Sequence, residues 1–178
     1  MTPMRRLAAG AAFAAAVIAA TCAPITVTSF TAKGVDVLAY RTYAWDRTEA
    51  NVPGDPRLDN NTFFHEHLRG AIDRQLISRG YEPTSLQPDV YVHYHASARQ
   101  RVLAAGDDWT TERCRDCSVE LYDEDTLLID LTDARSGALV WRGVAESGLG
   151  GAVSDQTRME GAIERVVERV LAKLPRRS

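Results

Sequence analysis

The sequence predicts an α+β fold, a two-layer sandwich with an antiparallel or mixed β-sheet and two helices packed on one face. Three observations predict it. Several segments alternate with the period of two that belongs to strands, and two others repeat apolar residues every three to four positions as amphipathic helices do. The order strand, strand, helix, strand, hairpin, helix then puts both helices on one side of a single sheet. The 178 residues are 45% hydrophobic and 25% charged, a balance that buries a core and lies far from the composition of disorder.

Ile25 to Phe30 is a β-branched run with Ile25, Val27 and Ser29 alternating against Thr26, Thr28 and Phe30, and Gly34 ends it. Tyr40 to Trp45 is a second strand, with Tyr40, Thr42 and Ala44 on one face and Arg41, Tyr43 and Trp45 on the other. The prolines and glycine between Asn51 and Pro56 stop it. From Phe63 the period becomes helical: Phe64, Leu68, Ala71, Ile72, Gln75 and Leu76 form one stripe, with Glu66, Arg69, Asp73 and Arg74 largely outside it. Asp59, Asn60 and Asn61 offer N-caps, and Gly80 stops the helix after about Arg79.

Asp89 to Ser97 is a strand in which Tyr91, His93 and His95 face one way and Val90, Val92 and Tyr94 the other. Thr126–Thr132 and Ala138–Ala145 read as a hairpin across the turn Asp133–Gly137, with Leu127, Ile129 and Leu131 as its core face. The last element is a helix whose Met159, Ile163, Val166, Val167, Val170, Leu171 and Leu174 keep a 3-4 spacing. It is opened by Ser154, or by Thr157 with Glu160, and closed before Pro175. The Lys173, Arg176 and Arg177 tail reads as a solvated helix end.

The N-terminus reads as an export signal. Arg5 and Arg6 precede an uninterrupted apolar run from Leu7 to Ala20, too short for the roughly 20 residues of a permanent membrane span. Ile18-Ala19-Ala20-Thr21-Cys22 resembles the lipobox of bacterial lipoproteins, in which the chain is cut just before a cysteine that then carries lipid. It departs from the usual pattern at Ala19, where Leu is typical, and at Thr21, where Gly, Ala or Ser is typical. The competing cut after Ala23 would place the rigid Pro24 just past the cleavage point. The expected organisation is a signal peptide over 1–21, a lipid-attachment segment and first strand over 22–34, and a single α+β domain over 35–178. Loss of Arg5 and Arg6 makes the mature chain more acidic than the formal net charge of −3 for the whole, which excludes the basic footprint of nucleic-acid binding.

Five motifs occur in order along the mature chain. They are Tyr40-Arg41-Thr42-Tyr43-Ala44-Trp45; Ile72-Asp73 with Leu76 and Arg79-Gly80-Tyr81; Asp89-Val90-Tyr91-Val92-His93-Tyr94-His95; Thr126-Leu127-Leu128-Ile129-Asp130; and Leu139-Val140-Trp141-Arg142-Gly143. Together they resemble a family of bacterial envelope lipoproteins known as domain of unknown function 4136. Asp125 stands where that family tends to have glycine, and Cys114-Arg115-Asp116-Cys117 is not one of its motifs. The resemblance implies an α+β lipoprotein domain in the cell envelope and carries no established activity.

Cys114 and Cys117 are close enough in sequence for a structural disulfide in an oxidising compartment; a metal site and redox chemistry are the other readings. Zinc needs four ligands, and the complement to the two cysteines is His93 with His95, two residues apart on one strand face. His65 and His67 project about 200° apart around the first helix and read as surface residues. Asp123, Glu124 and Asp125 lack the spacing of an EF-hand and read as a solvated acidic loop. Gly148-Leu149-Gly150-Gly151 reads as a connector, and Trp45 and Trp141 as core or sheet-edge aromatics. Neither a nucleophile elbow nor a phosphate-binding glycine loop is present in the sequence.

These readings converge on a non-enzymatic lipoprotein with no cofactor. Acyl chains (palmitate) on Cys22 would tether it to the periplasmic side of the outer membrane, and without lipid it would be soluble in the periplasm. Ala23 lacks the aspartate associated with inner-membrane retention. Its expected partners are the membrane, through the N-terminal lipid, and an envelope-protein or cell-wall component bound through the sheet face or edge. The alternative is a metal-binding protein or metal-dependent enzyme using His93 and His95, with the cysteines or Asp130.

Overall fold

Strand-forming residues, caps and turn glycines set the local structure, and the core then selects how the pieces stack. The structure, a computed structural model, describes residues 25–46, 58, 60–105, 118–146, 149 and 155–177, with the backbone alone for 98–105 and 118–124. Cys22, Cys114 and Cys117 lie outside the described residues, and with them the expectations for lipidation and for the disulfide.

Strand β1, Thr26–Thr31, pairs antiparallel with β6, Leu139–Glu146. β6 pairs in the same way with β5, Ser118–Asp133, and β5 with β4, Val90–Ala105. On the other side β4 runs parallel to β2, Thr42–Trp45, and β2 parallel to β3, the short Glu82–Pro83. The result is one mixed six-stranded sheet in the order β1-β6-β5-β4-β2-β3.

The parallel register of β2 and β4 has a visible clasp. The Asp89 carboxylate accepts the Arg41 and Thr42 amides at 2.8 and 2.9 Å. In return the Asp89 amide donates to the Thr42 carbonyl at 3.1 Å and the Thr42 hydroxyl at 3.0 Å. The strand therefore starts at Thr42 rather than Tyr40. A 3₁₀ turn at Val37–Ala39, capped by Asp36, precedes it; a three-residue turn leaves no periodicity to read.

β4 and β5 are 16 residues each, well beyond the Asp89–Ser97 and Thr126–Thr132 that alternation marks. Up to the row Thr26, Glu146, Thr126 and Ser97 they belong to the sheet. Past it, among the described residues, they pair only with each other, as a two-stranded ribbon from Ala98↔Asp125 to Ala105↔Ser118. Asp123, Glu124 and Asp125 are thus strand residues, contrary to the loop expected, and Asp125 is buried. Arg99, Gln100 and Arg101 on β4 and Asp123, Glu124 and Asp125 on β5 are consecutive polar residues, so no apolar alternation marks this stretch as a strand.

Both helices cover one face of the sheet. Helix α1, Thr62–Ser78, is capped by Asn61, whose side chain accepts the Phe64 amide at 3.0 Å. It buries Phe64, Leu68, Ala71, Ile72 and Leu76. Helix α2, Gln156–Leu171, is capped by Asp155, which accepts the Arg158 amide at 3.0 Å. Asp155 takes the role expected of Ser154 or Thr157, since a carboxylate at this end also meets the positive pole of the helix dipole. The two stripes join Val90, Val92, Leu127, Ile129, Leu131 and Trp141 in one core. Leu149, expected in a loose connector, is buried in it as well. Gly143 lets α2 close onto β6: a Cβ there would stand 2.4 Å from the Trp141 ring and 2.5 Å from a Val170 methyl.

The C-terminal tail is hydrogen-bonded to the body of the domain, although Lys173 and Arg176 stay exposed as expected. The Arg177 amide donates to the Arg79 carbonyl at 3.0 Å, its guanidinium donates to the Leu38 and Tyr40 carbonyls, and Arg176 donates to the Ser78 carbonyl at 2.9 Å. These bonds fill carbonyls that a helix end and a 3₁₀ turn leave without partners. Gly80, at φ +85°, fits beneath Arg177, whose Cβ would be 2.9 Å from an added methyl. Among the described residues no helix is long and apolar enough to cross a membrane.

Candidate functional site

Three places gather polar or exposed groups, and each belongs to a different surface of the sheet. On the helix-covered face, Asp73 of α1 turns toward β2 instead of solvent. Its Oδ1 accepts the Tyr43 hydroxyl at 2.8 Å and the Trp45 indole N–H at 3.1 Å. Burial, then the Asp73 hydrogen bond, pushes the Tyr43 phenol far above its usual range, so it stays a donor. The Arg69 guanidinium lies 4.5 Å from the centre of the Trp45 ring, and Tyr94 meets that ring edge-on at 6.0 Å. The Tyr94 hydroxyl is 2.7 Å from His65 Nδ1. His67 stacks on Phe63 and donates from Nδ1 to the Phe63 carbonyl at 2.8 Å. Both histidines, expected on the surface, are half-buried with partners, His65 on Tyr94 of the sheet and His67 on Phe63 of its own helix. The cluster fastens α1 to β2 and β4.

On the opposite face, which carries no helix among the described residues, strand pairing puts His93 beside Asp130, and Asp130 beside Arg142. Arg142 grips the carboxylate with both arms of its fork, Nε to Oδ1 at 2.7 Å and Nη2 to Oδ2 at 2.6 Å. The Asp130 hydrogen bond raises the Arg142 pKa still further. His93 Nε2 is 3.0 Å from the Thr132 hydroxyl and 3.7 Å from an Asp46 oxygen. A carboxylate, imidazole and hydroxyl suggest a hydrolase relay, but a relay needs the acid on one ring nitrogen and the hydroxyl on the other. Here both meet Nε2.

The metal alternative finds no support on this face. His93 and His95 share it, as their spacing requires, yet His95 is exposed and pairs with Leu128, while both oxygens of Asp130 are engaged by Arg142. Among the described residues no three His, Cys, Asp or Glu side chains group as ligands.

The third place is the edge strand β1. Five of its six residues are exposed and none is charged or proline. Phe30, on the helix-free face beside Arg142, is more than half exposed, at 54%. The Ala32 amide donates to the Val140 carbonyl at 3.0 Å. Alternation then turns the amides and carbonyls of Phe30, Thr28 and Thr26 toward β6, and those of Thr31, Ser29 and Val27 outward. The opposite edge, β3, is two residues long and contains Pro83, a blunted end of the kind that resists pairing. Which edge is open is not encoded locally in the sequence, since strand order is a long-range property.

A model for the family described as Domain of unknown function (DUF4136) matches residues 26–176. The chain belongs to this family. In this DUF4136 domain the motifs meet as structural pairs: Tyr43 and Trp45 with Asp73, Asp89 with Arg41 and Thr42, and Asp130 with Arg142. No curated relative matches the chain. A PDZ domain protein from Parabacteroides distasonis is similar in structure, with a TM-score of 0.54 at 13% identity over 86% of this chain and 37% of that one. The DUF4136 chain therefore spans little more than a third of that neighbour's length, and the likeness is one of fold. Two structures of the PelC dodecamer from Paraburkholderia phytofirmans align over 86% and 84% of this chain and 100% and 99% of those. Their TM-scores are 0.44 and 0.39, at 13% and 12% identity.

Proposed function

We propose that this DUF4136 domain is a non-enzymatic lipoprotein of the cell envelope, held by acyl chains on Cys22, that binds an extended segment of an envelope polypeptide by strand addition to β1. The edge itself carries the reading: exposed residues without charge or proline, with the amides of Val27, Ser29 and Thr31 turned outward. Exposed edges are normally guarded against pairing, and added strands draw their affinity from main-chain bonds of this kind. The leader and lipobox-like segment support the envelope location, and Ala23 supports the outer membrane. The polar groups near His93 support a binding role over catalysis, because Asp130 is neutralised by Arg142 and the His93 contacts share one nitrogen.

Ser29→Pro tests the edge directly. It removes an outward donor and leaves the β6 ladder whole, a substitution an edge strand tolerates. Photo-crosslinking in cells from position 31 is expected to give a defined protein adduct that disappears on adding Ser29→Pro, while the thermal midpoint moves little. An adduct unchanged by the proline refutes binding through β1.

A further inference from the structure

The ribbon formed by the far halves of β4 and β5 leaves the sheet at the rim where β1 begins. Thr26, Glu146, Thr126 and Ser97 lie in one transverse row. At about 4.8 Å per strand, the ribbon root is roughly 10 Å from the start of β1. Past that row β4 continues for eight residues, Ala98 to Ala105, in unbroken register with β5. At about 3.4 Å per residue this is an arm of roughly 27 Å. From Thr26 back to Cys22 is only four residues, which reach at most about 14 Å whatever path they take. An arm about twice as long as the tether, leaving the same rim, has no room to stand upright between the domain and a bilayer that holds Cys22.

Composition along the arm points the same way. Nearest the sheet the registers are charged or polar, Arg99↔Glu124, Gln100↔Asp123 and Arg101↔Tyr122. The four farthest, Val102↔Leu121, Leu103↔Glu120, Ala104↔Val119 and Ala105↔Ser118, include one charged residue. Strand alternation places Val102, Ala104, Val119 and Leu121 on one ribbon face toward its tip, with Gln100 and Asp123 on the same face nearer the sheet. The intervening sequence carries Asp107, Asp108, Glu112, Arg113, Arg115 and Asp116, which opposes insertion tip-first through hydrocarbon.

We propose that the ribbon lies along the membrane surface, with the face of Val102, Ala104, Val119 and Leu121 against the boundary between headgroups and acyl chains. This rests on the reading of Cys22 as the lipid anchor. The ribbon is then a second membrane contact that fixes the tilt of the domain, as acyl chains on a short flexible tether cannot. It keeps β1 beside the bilayer, within reach of envelope polypeptides at that surface.

The test uses the full mature protein purified from membranes, its Cys22 acylation measured by intact mass, and reconstituted in phosphatidylethanolamine–phosphatidylglycerol vesicles with or without brominated acyl chains. Leu121→Trp and Val119→Trp each add an indole to the face in question, and Thr31→Trp adds one at the other end of β1; the unsubstituted protein supplies the background. Emission added at 121 or 119 is expected to be lost in brominated vesicles, while that added at 31 is retained. Acylated protein whose added emission at both 121 and 119 survives bromination overturns the proposal and leaves the anchor reading intact. A mass without acyl chains on Cys22 overturns the anchor and the proposal together.

Discussion

Replacing Asp73 with alanine separates the fastening of α1 from the rest of the core. The lost carboxylate oxygen accepts two donors, the Tyr43 hydroxyl at 2.8 Å and the Trp45 indole at 3.1 Å. Tyr43 is buried at 1% exposure, so its hydroxyl would be left without a partner away from water, at a cost of about 1.5–3 kcal/mol for a bond to a charged acceptor. Trp45 is only half-buried, so water replaces much of its bond and it adds about 0.5–1 kcal/mol. The sum is about 2–4 kcal/mol, a large part of the 5–15 kcal/mol that keeps a typical domain folded. Tyr43→Phe alone costs less, about 1 kcal/mol, because Asp73 keeps its bond to Trp45 and some access to water. Urea unfolding of residues 22–178 carrying Cys22→Ser, followed by circular dichroism, measures both single variants and the double. The expected coupling is at least 1 kcal/mol in a double-mutant cycle, roughly the value of the shared bond. Additivity to within about 0.5 kcal/mol would show that the two groups act independently and would refute the fastening argument.

Two further outcomes follow from packing and charge. Gly143→Ala drives a methyl to 2.4 Å from the Trp141 ring and 2.5 Å from Val170; overpacking of this kind costs about 1–3 kcal/mol, read as a lower urea midpoint with the slope unchanged. Asp89 titrates below the usual carboxylate range, chiefly because the Thr42 and then the Arg41 amide bond its charged form. A folded pKa below the unfolded one means the stabilisation is fully present above the unfolded value, about 3.9, and is lost as pH falls through the folded value. The stability gap between the native chain and Asp89→Asn should therefore be constant from neutral pH down to about 5 and close as pH falls below 4; a gap that widens in acid contradicts the clasp.

How much of this was legible in sequence depends on the range of the interaction concerned. The α1 stripe and its Gly80 stop are local, and the structure keeps both except for Gln75, which is not buried; of the three caps offered it uses Asn61. The two faces of β4 are local as well, with Val90 and Val92 buried and His93 turned away. Asp73 is the instructive case: polar spacing set it outside the apolar stripe with no role, yet the Tyr43 and Trp45 donors needed an acceptor on the opposing helix. Pairing the two family motifs in which these residues occur was the one available signal. The ribbon strands were missed because runs of charged and polar residues, Arg99 to Arg101 and Asp123 to Asp125, hide any alternation, and Asp155 because two neighbours offered equally good caps.

The chain by itself determined the class of fold, the helices, the buried face of each central strand and the membership of a family. These follow from hydrophobic period, caps and turn residues, which act over a few positions. Tertiary structure alone decided that β1 is the open edge and β3 the blunted one, that Asp130 is paired with Arg142, and that the β4–β5 ribbon leaves by the rim where β1 begins. Each of those depends on which strand pairs with which, and strand pairing joins residues too far apart in sequence for any local pattern to encode.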